Sequence, residues 1–146
     1  MILEKQIIHY ALFVSAFFLS HNCLAQKDVL KLLPGSKKAN YFEETDLLKL
    51  EGDVNFEYQQ NTMFCDSAYY FEKAQIVRAY GNVHIIKENI NIFCDSAFFD
   101  GQTEKSKLWG RVKMRDGDYK LTTDSIDYDS AFGRATYRNH GVIQKT

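Results

Sequence analysis

The sequence predicts an all-β fold built from stacked repeats of about 29 residues, with mostly antiparallel strands. Three observations carry that expectation. The pentapeptide FCDSA occurs twice, starting at Phe64 and at Phe93, 29 positions apart. The same interval separates Gly52, Gly81 and Gly110, then Val54, Val83 and Val112, then the pairs Asp66-Ser67, Asp95-Ser96 and Asp124-Ser125. Around each glycine, apolar and polar residues alternate with a period of two, as in strands with one buried face.

The elements follow in chain order. Residues 1–25 contain Lys5, the apolar run IIHYALFVSAFFLS and the ending HNCLA. Cys23 and Ala25 put small residues before a cut ahead of Gln26, the pattern of a cleaved signal peptide. The run is short and interrupted by His9, so a retained anchor is the lesser alternative. Residues 26–46 read as an N-terminal edge segment. There VLKLLPG gives a short strand ended by a Pro34-Gly35 turn, and SKKANYFEETD a polar loop or irregular edge. The domain at 47–146 holds three units, 47–75, 76–104 and 105–133, and a partial fourth from Arg134. In that last piece His140-Gly141-Val142 echoes Gly-x-Val after a short insertion.

Each unit reads as two strands joined by a turn. In the first strands Leu50, Gly52, Val54 and Phe56 share one face, as do Ala79, Gly81, Val83 and Ile85, and Leu108, Gly110, Val112 and Met114. Turn residues follow at Gln59-Gln60-Asn61, Glu88-Asn89 and Asp116-Gly117-Asp118. The second strands change parity midway: Met63 and Cys65, then Ala68 and Tyr70; Ile92 and Cys94, then Ala97 and Phe99; Leu121 and Thr123, then Ile126 and Tyr128. One extra residue at Asp66-Ser67, Asp95-Ser96 and Asp124-Ser125, as in a β-bulge, would bring each set to one side. The Asp-Ser pairs are therefore expected to be structural, their side chains bonding to backbone groups that the bulge frees.

Composition narrows the function. The chain has 146 residues and a net charge of −1, so nothing global points to nucleic acid. After the signal peptide Cys65 and Cys94 remain, with no zinc spacing. Cysteine catalysis needs a nearby base, and His84 and His140 have no repeat copies, so an enzyme is not expected. Stacked Asp66, Asp95 and Asp124 could offer oxygens to Ca²⁺, but the Gly-rich nonapeptide loops of calcium β-rolls are missing, so no metal or other cofactor is expected. No GxxxxGK[ST] phosphate loop occurs.

The stretches KLLPGSKK, LEGDVNFEYQQNTMFCDSAYYFEK, AYGNVHIIKENINIFCDSAFFDG and LWGRVKMRDGDYKLTTDSIDYD resemble the OstA-like N-terminal family, over roughly residues 29–143. That family is related to periplasmic lipopolysaccharide-transport proteins. The resemblance implies an open β-jellyroll folded like a taco, with an apolar interior. It also implies handling of lipopolysaccharide in the periplasm, between inner-membrane and outer-membrane transport proteins with similar domains. Family members are often longer, so a truncated, inactive member is an alternative, as is a structural or adhesive β-repeat protein without lipid.

Three site expectations follow. Lipid should meet the inner rows, led by Val54, Phe56, Met63, Val83, Ile85, Ile92, Val112, Met114 and Leu121. Exposed strand edges should allow head-to-tail assembly, with acidic Glu51 and Asp53 meeting basic Arg111 and Lys113. Cys65 and Cys94 should stay unpaired in an antiparallel meander, where they sit about 9.5 Å apart.

Overall fold

The computed structural model describes residues 29–129 and 131–145; the expected signal peptide at 1–25 and its expected cut ahead of Gln26 lie outside these. Among the described residues no α-helix occurs, and one 10-stranded antiparallel sheet holds the chain. Two short strands open it, β1 (Lys31–Leu32) and β2 (Lys38–Phe42), followed by a 3-10 turn at Glu43–Thr45. Six long strands form a meander: β3 (Leu47–Tyr58), β4 (Asn61–Phe71), β5 (Ile76–Lys87), β6 (Ile90–Asp100), β7 (Lys105–Asp116) and β8 (Tyr119–Asp129). Two short strands close it, β9 (Arg134–Arg138) and β10 (Val142–Lys145).

The short strands reveal a bend in the long ones. β2 pairs with Leu47–Glu51 of β3, whereas β1 pairs with Phe56 and Glu57 further along. At the other edge β9 pairs with Ser125–Asp129 of β8, and β10 with Tyr119–Thr122. Each long strand thus has two arms. The arms beside β2 and β9 form a first layer, and those beside β1 and β10 a second. The layers fold onto each other with the apolar rows between them. Tyr58, at the second-layer tip of β3, packs edge-on against Tyr70 of the first layer, with ring centroids 5.9 Å apart. Its hydroxyl donates to the Gln75 carbonyl at 2.9 Å. Further along the opening, Lys87 sits over the Tyr128 ring at 6.0 Å.

The bend is where the Asp-Ser pairs stand, but the extra residue is not theirs. β3 presents Gly52 and Asp53 against Asp66 alone, since Glu51 pairs with Ser67 and Val54 with Cys65. Gly81-Asn82 and Gly110-Arg111 repeat this against Asp95 and Asp124. The placement of the bulge on Asp66, Ser67, Asp95, Ser96, Asp124 and Ser125 is thereby corrected to the glycine strands. The reason is conformational. Gly81 and Asn82 have φ of 77° and 47°, and Gly110 and Arg111 have 81° and 49°. Two successive left-handed residues turn a strand, and glycine takes the first without steric cost. The parity change itself is present: Cys65 and Ala68 are both buried, with Asp66 exposed and Ser67 half-buried between them.

The N-terminal segment also differs from its expected loop. Residues 38–42 form β2, held to β3 through five consecutive pairs. All five are exposed, so no apolar alternation marks them as a strand.

Candidate lipid-binding interior

The inner rows form one apolar surface. Leu50, Val54, Phe56, Tyr58 and Met63 come from β3 and β4, Val77, Ala79, Val83 and Ile85 from β5, and Leu108, Val112, Leu121 and Ile126 from β7 and β8. Every proposed lipid contact lies in this interior: Val54, Phe56, Met63, Val83, Ile85, Val112 and Leu121 are buried, and Ile92 and Met114 pack partly buried against them.

Sealing is uneven along the stack. Phe56, Ile85 and Met114 occupy equivalent places; Phe56 is 0 % exposed, Ile85 2 % and Met114 only half-buried. In the row Met63, Ile92, Leu121 only the middle residue is half-buried, between Met63 at 0 % and Leu121 at 8 % exposure. The cause is the strand tip. Tyr58 closes the opening at the first unit, and its equivalents are Lys87 and Asp116. Lys87 holds its ammonium over an aromatic face, and Asp116 is exposed. The exposed Asp116 carboxylate stays in water and leaves Met114 beneath it half-buried, whereas Ile85 beneath Lys87 keeps its cover.

The bend carries a clamp that answers why FCDSA recurs. A Cβ on Gly110 would stand 2.6 Å from the Asp95 Cβ, and one on Gly81 would stand 2.9 Å from that of Asp66. Each aspartate therefore lies over the next unit's glycine, where only hydrogen fits. It then bonds the following residue: Asn82 Nδ2 donates to Asp66 Oδ2 at 2.9 Å, and the Arg111 guanidinium donates to Asp95 through Nε at 3.1 Å and Nη2 at 2.5 Å. The guanidinium holds the Asp95 carboxyl below the usual carboxylate range. At the C-terminal end His140 Nδ1 stands 3.7 Å from Asp124 Oδ2.

Two members of this ladder escaped the sequence reading. Asn139 follows Gly110 by the repeat interval and has φ of 61°, with His140 at 54°. The left-handed pair is thus Asn139-His140, with no insertion, and Gly141 stands where Val83 and Val112 stand. Asparagine tolerates this conformation best after glycine. Thr123, in the place of the two cysteines, donates to the Asn139 carbonyl at 3.3 Å. At the other end Lys37 takes the aspartate's place with reversed polarity. It lies against Gly52, and its ammonium reaches Asp53 Oδ2 at 2.7 Å.

The assembly residues are not at edges. Glu51 and Asp53 lie on β3, which β1 and β2 cover, and they pair with Lys49 and Lys37. Arg111 and Lys113 lie on β7 between β6 and β8, with Arg111 committed to Asp95. The edges themselves carry Lys31 and Lys38 at one end and Arg134 and Lys145 at the other. Like charge at both ends removes the expected acidic-to-basic match.

Cys65 and Cys94 are free, buried thiols on β4 and β6, separated by β5. Burial pushes both thiols up to about 12, away from nucleophilic character. His84 lies on the outer face, pairing with Phe64 and Phe93. Among the described residues no group of three or more His, Cys, Asp or Glu is placed to hold a metal ion, and no helix is long and apolar enough to cross a membrane.

No curated protein sequence matches the chain. Among solved structures it is similar to LptH from Pseudomonas aeruginosa, described as the LptA homologous periplasmic component of the conserved lipopolysaccharide transport device. The TM-score is 0.72 at 8 % identity, covering 83 % of this chain and 97 % of LptH, so the β-jellyroll fold is shared. A family model described as OstA-like protein matches residues 26–146, the whole chain after residue 25. With the repeated bend, the apolar interior and that match together, the chain belongs to the OstA-like protein family.

Proposed function

We propose that the protein carries lipid acyl chains, those of lipopolysaccharide first, inside its folded sheet, as a periplasmic intermediate between two membranes. The observation that carries this reading is the continuous inner surface that is sealed under Tyr58 yet incompletely covered at Ile92 and Met114. Each methylene removed from water contributes about 0.8 kcal/mol, so even a partly open row captures a chain. Equivalent rungs bind it alike, so movement along them meets no deep trap. Direction comes from partners. LptH, with the same fold, is described as part of a lipopolysaccharide transport device, and this supports the substrate and the compartment.

In this reading the inner row from Val54 to Leu121 is the contact surface, and the buried thiols have no catalytic part. The edges β1–β2 and β9–β10 join similar β-jellyroll domains of inner-membrane and outer-membrane partners, or further copies of this chain head to tail, through backbone pairing. A structural repeat protein without cargo would gain nothing from the uncovered C-terminal rows.

The test is mass spectrometry of lipid bound to the exported protein, with two neighbouring variants. Ile85→Asp should strip the lipid, because it puts a charge in the interior. His84→Asp should retain it, because that side chain faces outward. Wild-type protein that is lipid-free and takes up no lipopolysaccharide would sink the proposal.

A further inference from the structure

The two outer faces of the sheet differ in how their charges and rings are partnered. On the first layer, Lys49 pairs with Glu51 at 2.9 Å and lies 5.9 Å from the Tyr69 ring. Arg78 sits between Phe71 and Phe98, 5.6 and 5.9 Å from their rings. Lys105 and Lys107 stand in register with Asp129 and Asp127. On the second layer one row runs Phe64, His84, Phe93 and Lys113 across adjacent strands, and the next runs Ile86, Asn91, Arg115 and Lys120. The rings of Phe64, His84 and Phe93 stack in series, with centroids 5.7 and 4.1 Å apart. His84 Nε2 lies 3.0 Å from Asn91 Oδ1, which fixes the middle ring. Phe64 is 38 % and Phe93 49 % exposed.

Lys113, Arg115 and Lys120 are exposed beside these rings, and among the described residues none of them makes an ion pair. The nearest acids do not neutralise them. Glu57 is paired with Lys31 at 3.1 Å, Asp95 holds Arg111, Asp116 ends β7 at its tip, and Glu88 and Asp118 stand on the turns.

We propose that this outer face of the second layer docks on the surface of an anionic lipid bilayer. Such a surface offers at one depth what the two rows lack separately. Phosphate headgroups match three unpaired cations. The interfacial zone just below them takes exposed aromatic rings. Docked this way, the sheet lies flat with its opening beside the membrane. The inference does not depend on lipid inside the sheet.

Flotation with mixed phosphatidylglycerol–phosphatidylcholine vesicles tests it, against phosphatidylcholine alone and at two salt concentrations. The wild-type protein should float with the anionic vesicles only, and less so at high salt. Lys113→Gln, Arg115→Gln and Lys120→Gln should each lower partitioning about fivefold, and together roughly a hundredfold. Phe64→Ser with Phe93→Ser should lower it at both salt concentrations alike. Lys105→Gln with Lys107→Gln, on the first layer, should leave it unchanged. All variants share one N-terminus, so any contribution of residues 1–25 cancels. Urea midpoints check folding, and if the triple variant is destabilised, Arg115→Gln alone carries the test. Equal flotation with neutral vesicles, or no loss in the second-layer variants, overturns the proposal. Retention on polyglutamate without vesicle binding overturns it too, in favour of an acidic polypeptide partner. Flotation by a protein whose interior proves lipid-free would leave docking standing and remove only the carrier reading.

Discussion

The first and third units of the sheet share a bend and differ in closure. Val54 and Val112, just past their glycines, are equally sealed at 1 % and 0 % exposure. Two residues further out the match ends: Phe56 is fully buried and Met114 is not. The bend is therefore a property of the repeat, and closure a property of what each tip adds to it. Tyr58 spans the opening to Tyr70 and the Gln75 carbonyl, whereas Asp116 at the equivalent tip stays exposed.

Core truncations should break this comparison most visibly. Phe56→Ala leaves a cavity in a sealed region and should cost about 3–5 kcal/mol, while Met114→Ala, already in partial contact with water, should cost about 1–2 kcal/mol. Urea unfolding measures both, and equal losses would mean the third unit is as tightly packed as the first. Exchanging tips comes next. Tyr58→Lys should cost about 2–3 kcal/mol through lost ring burial and one hydrogen bond. It should also raise the uptake of an apolar fluorescent dye. Asp116→Tyr should lower dye uptake, and tips that leave uptake unchanged in both directions would disprove their role as covers.

The bend should respond alike in both regions. Gly81→Ala and Gly110→Ala force a left-handed alanine against an aspartate and should each cost about 1–3 kcal/mol. Gly117→Ala, at φ of 54° with open space around it, should cost less. Thermal midpoints rank the three. The smallest effect is ionic. Arg111 depresses the Asp95 carboxyl, so the stability this pair contributes is present above the ordinary carboxylate range and is lost as pH falls through the lowered folded value. Asp95→Asn should lower the urea midpoint slightly at pH 7 and reduce its fall between neutral and strongly acidic solution. An unaltered acid profile would show that the clamp acts by shape alone.

Much of the fold was legible because a strand's buried face recurs every second residue and the repeat multiplies the signal. Leu50, Val54, Phe56 and their copies needed no pairing information. The strand that owns the bulge did need it, since a parity change in Cys65–Ala68 looks the same whichever strand is longer. β2 was illegible because all five of its residues are exposed. Lys37 and Asn139 were hidden because they fill their positions with a different residue of the same conformational or ionic use. Cover by Tyr58 could not be read at all, because the contact joins opposite ends of neighbouring strands across two layers. The cations Lys113, Arg115 and Lys120 were visible in part as a basic row, but their lack of partners is a fact of three dimensions.

The clamp has a further consequence for length. Because each aspartate seats on the glycine one unit ahead, it defines a fixed screw step from hairpin to hairpin. One step advances the sheet by two strand spacings, about 9.5 Å. The same residues laid out as an extended chain would reach about ten times as far. A stack of this kind grows in discrete and short increments, so the length of its apolar interior comes in whole numbers of hairpins.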